Sequence, residues 1–575
     1  MKNLIYICLL LIFSNKIFAQ TNFYVSPSGN NANTGTSIST AWQTIQHAAN
    51  TAIPDSIVNI LAGTYNELVS INVNGTAINP IVFRNYQNDV VLISGSGFTA
   101  SFSNLIMINS KNNIEIKGLI LENLSTPFAN GILVVSNVGA GIENITLKDL
   151  KIRNIRYSAD VNPGIPVAGN NAHGIEIYGK GITELDVIRN IKVENCEIYN
   201  NVNGFSENLT VNGNVSNFAL INNSVHDNTN IGIDVAGNFG ASANSLLDHA
   251  RNGIISGNET YNNVSQVANS SGIYCDGCQN TIIERNQTHH NTVGITVGCE
   301  PNGTADFVYV YNNFVYHNTY TGIQIGGYNP ATTGIVNNSE ISNNTCFHND
   351  ITNLHGELLV EKVNNCKIFN NIFNTAGTLL MYIDNINPQN YTSNYNLFHS
   401  SSPLTVLPFV NYRFNTIQLS NYQTTTKKDL NSELSFPNFV SNTTSNINLH
   451  LHESSLAINM GDPGYVALQS VRDIDGENRN NNIVDIGADE FYGNLTVYKN
   501  TVEDFVIYPN PSNDFISILN TDHENGTIQI YNSMGQLIKK APVTKGLQIN
   551  ISNLSKAIYF IKLNDNAKTL KFVKN

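Results

Sequence analysis

The 575-residue sequence predicts an all-β chain: a right-handed parallel β-helix, or solenoid, followed by a small C-terminal β-sandwich. Three observations predict it. One phrase of glycine, large apolar residue, variable residue and usually a second apolar residue returns as Gly174-Ile175-Glu176-Ile177, Gly204-Phe205-Ser206-Glu207, Gly232-Ile233-Asp234-Val235, Gly272-Ile273-Tyr274-Cys275, Gly294-Ile295-Thr296-Val297 and Gly322-Ile323-Gln324-Ile325, at spacings of 30, 28, 40, 22 and 28 residues. Repeats of that length built from period-2 strands, with almost no helical period, mean stacked coils. Asparagine pairs are interleaved with them at Asn200-Asn201, Asn222-Asn223, Asn262-Asn263, Asn312-Asn313, Asn343-Asn344 and Asn370-Asn371. Coils stack one strand spacing apart, about 4.8 Å, so turn asparagines can hydrogen-bond up and down a ladder and satisfy polar groups that stacking buries.

Taken in order, residues 1–19 carry Lys2, the apolar run Leu4 to Phe13 and a small-residue end at Ala19, which is the pattern of a signal peptide. The run is too short to span a bilayer, and no later stretch is apolar for long enough. Residues 20–55 include Phe23-Tyr24-Val25-Ser26-Pro27-Ser28-Gly29 and the helically spaced Ala41 to Ala49. They are expected to cap the open end of the solenoid, because an end coil exposes strand edges and core. Residues 56–375 are expected to form the β-helix, with Val58 to Tyr65 and Pro80 to Arg84 as its first coils, and the chain from about Phe23 to Thr375 resembles the secreted β-helices of the pectin-lyase-like superfamily. Residues 376–492 are expected to be an irregular extension and a closing segment. That segment carries Arg472-Asp473-Ile474-Asp475-Gly476 and Val484-Asp485-Ile486-Gly487-Ala488-Asp489-Glu490-Phe491 and resembles the choice-of-anchor Q region. Position 12 counted from Asp473 is Val484, which excludes an EF-hand, so its carboxylates are read first as structural, with a metal site as the alternative.

A linker at 493–503 leads to residues 504–575, where Phe505 to Ser512, Ile528 to Gln536 and Ile558 to Leu563 are short alternating strands separated by turns. The Tyr508-Pro509-Asn510-Pro511 phrase, Asn532 to Gln536 and the last strand resemble the C-terminal sorting domain of the type IX secretion system of Bacteroidetes. The resemblance implies handling by that machinery, export across the outer membrane, and a secreted or cell-surface protein.

Charged residues make up 13% of the chain and the formal net charge is −13, which argues against a nucleic-acid partner. Cys275 and Cys278 form a lone CxxC with no second pair at zinc spacing. Cys278 and Cys299, near strand ends on adjacent coils, are candidates for a disulfide; buried thiols packed as small apolar residues are the equal alternative.

Outward residues of a β-helix sheet form parallel columns. Counting two residues on from each glycine predicts Glu176, Ser206, Asp234, Tyr274, Thr296 and Gln324 in one column. Two further on come Tyr178, Asn208, Ala236, Asp276, Gly298 and Gly326, with Glu300 just beyond. From these, Glu176, Tyr178, Tyr274, Glu300 and Gln324 are the expected binders of a polysaccharide, acidic in the reading taken first. The 40-residue interval between Gly232 and Gly272 is where a solenoid places a functional loop, and it holds His249 and Arg251. With Asp234 and Asp276 on the flanking coils, these supply an eliminase: a cation or a calcium ion held by Asp234 and Asp276 neutralises a uronate, and Arg251 or His249 removes its C5 proton. Asn203-Gly204-Phe205 followed by Asn230-Ile231-Gly232-Ile233-Asp234 is similar to the calcium-binding coils of family 9 polysaccharide lyases, with Asn203 and Asn230 where that family has acids. The expected function is therefore a secreted polysaccharide lyase acting by β-elimination, with Ca2+ as its cofactor. A glycoside hydrolase or uronan epimerase on the same fold, using Asp234 with Asp276 or Glu300, and a non-catalytic surface or adhesion rod that binds glycan are the alternatives.

Overall fold

The computed structural model describes residues 20–492 except 161–163, 168, 403–406, 444–445, 466–471 and 480–482, and then 506–508, 512–519, 527–532, 536–542, 548–563 and 569–574. The expected signal peptide and linker lie outside the described residues. Two compact units divide at Tyr492.

The first unit is a right-handed parallel β-helix in which each coil gives one strand to each of three sheets, of 14, 13 and 13 strands. Nearly every pairing along these sheets is parallel and joins a strand to the one three elements later, as in Thr21–Val25 with Ser56–Ile60 and Ile233–Ala236 with Ser271–Asp276. Inward positions carry one continuous apolar core of Ile, Val and Leu, running from Val25 to Tyr422.

Two buried asparagine ladders run along the corners on either side of the third sheet. In one, the side-chain oxygens of Asn258, Asn286 and Asn313 accept the backbone N–H groups of Asn223, Asn258 and Asn286, each at 2.9 Å. In the other, Asn291, Asn318 and Asn349 accept from Asn263, Asn291 and Asn318 at 3.1, 3.0 and 2.9 Å. The six asparagine pairs therefore belong to two columns, with Asn201 and Asn263 in the second ladder and Asn223, Asn313, Asn344 and Asn371 in the first. The residue before each, such as Asn222, Asn262 or Asn312, takes positive φ (53°, 53° and 59°) and turns the corner, a conformation asparagine tolerates better than most residues. The recurrent glycines serve the second ladder. A Cβ at Gly272 would stand 2.7 Å from Asn291 Nδ2, one at Gly294 2.9 Å from Asn318 Nδ2 and one at Gly322 2.9 Å from Asn349 Nδ2.

The ladder ends on a carboxyl group. Glu357 is fully buried and accepts from Asn349 N–H at 2.9 Å and Asn349 Nδ2 at 2.6 Å; burial pushes its carboxyl up to about 8.

At the N-terminal end the helix Ile45–Thr51 buries Ile45, Ala48 and Ala49, with Thr44 capping it by accepting the His47 N–H. Within the expected cap, Thr21–Val25 is already a strand of the first sheet. The coils also run on past Thr375, through Leu379–Ile383, Gln389–Asn394, Leu397–Ser400, Phe409–Tyr412 and Glu433–Leu434, where an irregular extension was expected. The asparagine pair is lost there because Tyr395 takes the positive-φ corner (54°) before Asn396, which still accepts the Asn371 N–H at 2.9 Å, and one coil later the Ser432 hydroxyl takes over, accepting the Asn396 N–H at 2.8 Å. Cys275 is disulfide-bonded to Cys278, so Cys299 is not its partner; Cys196, Cys299, Cys346 and Cys366 are buried thiols.

The second unit has antiparallel sheets of three and four strands around Ile516, Ile528, Ile530, Ile549, Ile551, Tyr559, Ile561 and Phe572.

Two outcomes follow from the ladder. Asn318→Ala strands the Asn291 N–H and the Thr288 carbonyl, which the Asn318 amide serves at 3.0 and 3.1 Å, and should cost about 1–3 kcal/mol in denaturant unfolding. Asn280→Ala, at an exposed amide that donates to Asn252, should cost well under that; equal losses would contradict the ladder's role. Because the folded Glu357 carboxyl sits above the ordinary 4.5 of a glutamate, its stabilising protonated form is fully present below about 4.5 and is lost as pH rises towards about 8. Thermal melts should show Glu357→Gln gaining on the parent across that window, and parallel pH curves would refute the assignment.

Candidate functional site

The second sheet carries the site, and its strand register defines the columns. Glu176, Thr210, Asp234, Tyr274, Thr296 and Gln324 pair across successive coils, and so do Tyr178, Asn212, Ala236, Asp276 and Gly298. Ser206 and Asn208 do not hold the places that counting assigned them. Gly204, with φ +70°, belongs to a turn, and the strand of that coil is Leu209–Gly213. That turn puts Glu207 over the sheet instead.

Thr210, Asp234, Thr296 and Asp276 are buried on this face although they point outward, while Glu176, Tyr178, Asn212 and Gln324 are half-buried. Asp234 is 4% exposed and Asp276 3%. Asp276 is also bracketed by the Cys275–Cys278 disulfide, and its Oδ1 accepts the Glu300 N–H at 2.6 Å. Asp234 Oδ1 is buried with no hydrogen-bond partner. Glu207 keeps 19% of its side chain open; its Oε2 accepts from the Thr210 hydroxyl at 3.2 Å and lies 3.9 Å from His173 Nδ1. Thr210 is the register partner of Asp234, so the Glu207 carboxylate lies within roughly 8 Å of the Asp234 side chain, one strand spacing plus a hydrogen bond.

These acids repel one another in a dry setting. Asp234 is pushed well above the usual carboxyl range by burial first, then by Glu207, Asp276 and Glu300. Asp276 is raised by burial and by Glu300, against the pull of the Glu300 N–H. Burial raises Glu207 too, against the smaller opposing pull of His173 and Thr210. Neighbouring like charges cannot all ionise, so such a set separates into proton holder and anion.

A groove of about 550 Å3 opens onto Asp234, Glu207, Glu176 and His173. Phe102 and Phe128, stacked at 4.3 Å, line it together with Tyr178, Phe205, Phe239 and Lys180. Apolar walls around a few convergent polar groups are what small-molecule and sugar sites present.

Of the residues expected from sequence, Glu176, Tyr178, Asp234, Tyr274 and Asp276 lie on this face, with Glu300 against Asp276. Gln324 shares the column three coils from Asp234, about 14 Å away, where it donates to Glu361 at 2.9 Å. Arg251 and His249 are carried elsewhere. The 237–249 excursion returns at the corner, where His249 bridges to Gly237, and Arg251 belongs to the first sheet beside Ser216 and Gln279. There Arg251 donates to Asn214 at 3.0 Å and Glu184 at 2.9 Å, while burial and then Arg251 push His249 down to about 4. Sequence reading missed Glu207, His173, Lys180 and the four phenylalanines. For Glu207 the available signal was the second alternating run, Leu209-Thr210-Val211, directly after the glycine phrase.

The donor set of Asp234 and Asp276 is the hard-oxygen chemistry that suits calcium. Among the described residues, however, no three of these groups bring ligand atoms within 4.8 Å of one another, so they do not form a ready calcium cage.

Residues 506–575 match the secretion system C-terminal sorting domain family, which marks the chain for type IX export to the cell surface or beyond. Protein YwoF of Bacillus subtilis (strain 168) is 33% identical over 393 residues, covering 66% of this chain and 80% of that protein. Among solved structures, pectate lyase Pel9A aligns at 14% identity over 82% of this chain and 96% of that one, with a TM-score of 0.45. The GH136 lacto-N-biosidase from Eubacterium ramulus aligns at 12% over 68% and 66%, with a TM-score of 0.43.

Asp276→Asn removes one of the mutually repelling buried acids and keeps an acceptor for the Glu300 N–H. A folded carboxyl raised above 3.8 contributes stability fully present below that pH and lost as pH rises. The variant should therefore melt higher than the parent at pH 8, with the gap closing towards pH 4. A lower melting temperature at pH 8 would mean that the Asp276 charge is compensated by a bound cation.

Proposed function

We propose that this chain, which belongs to the same family as protein YwoF of Bacillus subtilis (strain 168), is a secreted enzyme that hydrolyses glycosidic bonds of a polysaccharide lying in the second-sheet groove. One observation carries the reading: two carboxyl groups of unequal environment, Asp234 and Glu207, line one aromatic-walled groove. Asp234 has the most like-charged neighbours and an unpartnered oxygen, so it is the proton holder. Glu207, beside His173 and Thr210, is the anion. Asp234 gives its proton to the leaving oxygen as the C–O bond breaks, and Glu207 supports the positive charge that develops on the sugar ring. Water supplies hydroxide to the anomeric carbon, and its second proton restores the acid. This is the two-carboxylate logic of glycoside hydrolysis. Asp276 acts through Asp234, as a positioning residue that keeps the acid protonated. The phenylalanines offer flat apolar faces to sugar rings.

A second reading, β-elimination from a uronate-containing glycan, is favoured by Lys180. Its ammonium lies 5.4 Å from the centre of the Tyr178 ring in the same groove, where it can neutralise a substrate carboxylate.

The purified mature protein should release new reducing ends from a neutral or acidic glycan panel. Asp234→Asn and Glu207→Gln should each lower kcat by about a hundredfold or more, and Arg251→Ala should leave it near the parent value. Activity requires protonated Asp234, and losing a like charge lowers its pKa. Asp276→Asn should therefore move the alkaline limb of the pH profile to lower pH. Reducing ends accompanied by the absorbance of unsaturated uronides, abolished in Lys180→Ala, would establish elimination instead. Full turnover in both Asp234→Asn and Glu207→Gln would refute the site.

A further inference from the structure

The closing segment of the first unit holds a second constellation, away from the groove. His450 Nε2 and carboxylate oxygens of Asp475 and Asp489 all lie within 4.8 Å of one another, the only such trio among the described residues. His450 belongs to strand Asn446–Leu451, whereas both aspartates come from the chain between Arg472 and Phe491.

The surroundings hold each group in place. The other ring nitrogen, Nδ1, faces the Asn448 side-chain oxygen at 2.5 Å and donates to it, which leaves Nε2 aimed at the two carboxylates, 2.9 Å from Asp475 Oδ2. A ring whose far N–H is committed to an oxygen acceptor is the usual arrangement of a metal-ligating histidine. The edge of that ring packs against Phe314 at 5.2 Å and 90°. Asp489 is 6% exposed, and its Oδ2 accepts the Leu451 N–H at 2.7 Å. Asp473 is not one of the three. Its carboxylate accepts the N–H groups of Asp475 at 3.1 Å, Glu477 at 2.7 Å and Glu490 at 3.2 Å, and so ties the loop bearing Asp475 to the stretch bearing Asp489.

We propose that His450, Asp475 and Asp489 bind a divalent cation of the first transition row, zinc foremost, which clips strand Asn446–Leu451 to the Arg472–Phe491 segment. One imidazole with two carboxylates suits borderline cations such as zinc or manganese, whereas calcium takes an all-oxygen shell. Three protein ligands leave a position for water.

The test uses the full mature chain, stripped with chelator and desalted, and titrated calorimetrically with zinc, manganese or calcium chloride while thermal melts are recorded. Zinc or manganese should bind with one equivalent per chain at this site and raise the melting temperature, with calcium weaker. His450→Ala and Asp475→Asn should each weaken binding by at least about tenfold, and Asn448→Ala, which frees the ring, by a smaller factor. Asp475 has about half its side chain exposed, so Asp475→Asn reads the site even if His450→Ala fails to fold. Absence of saturable uptake would mean a His450–Asp475 ion pair only, and uptake unchanged in Asp475→Asn would place the cation at other histidines; either result overturns the proposal.

Discussion

Everything in the first unit depends on one constraint: coils stacked at strand spacing must satisfy backbone polar groups at corners that lie inside the protein. The asparagine ladders do this by giving each buried N–H an amide oxygen from the next coil. That demand propagates outward. The amides of the second ladder need room, so the facing strand carries glycine, and the corners need a residue at positive φ, so asparagine often precedes the ladder position. The glycine phrase thus answers to the second ladder, and the asparagine pairs to both. Where the ladder ends, a carboxyl group that stays protonated, Glu357, replaces the amide.

The same stacking produces the site. Once register is set, residues 24 to 40 positions apart in sequence become neighbours on one face, as Thr210, Asp234 and Tyr274 do. Loops then close over that face and remove water from groups chosen for their polarity. Acids that would be unremarkable on an open sheet become mutually repelling and buried, and their proton affinities rise and separate. A regular scaffold supplies alignment, and irregular excursions supply burial and aromatic walls; the chemistry needs both.

The repeat made the fold legible, because period-2 strands, glycine and paired asparagines all answer to stacking. The face bearing Asp234, Asp276, Glu176 and Tyr274 was legible for the same reason. Excursions were not. Arg251 lies only 17 residues from Asp234, but the chain turns a corner between them, and sequence distance carries no record of corners. Glu207 was hidden because its coil has two strand-like phrases, the glycine-led Gly204 to Glu207 in a turn and the Leu209–Gly213 strand proper, and periodicity alone does not say which one pairs. The coils after Thr375 faded from view once Tyr395 replaced asparagine at the corner before Asn396, and Ser432 replaced the ladder amide one coil on. The clip residues His450, Asp475 and Asp489 lie outside any repeat, so only the packed structure brings them together.

On the proposed mechanism Asp234 stays protonated at neutral pH inside the carboxylate cluster while Glu207 is ionised. The most direct measurement is the infrared difference spectrum between the parent protein and Asp234→Asn at pH 7, in the carboxyl stretching region. The substitution should remove one band of a protonated carboxylic acid, and Glu207→Gln should remove a carboxylate band instead. Loss of a carboxylate band from Asp234→Asn would show the acid already ionised and would contradict the assignment.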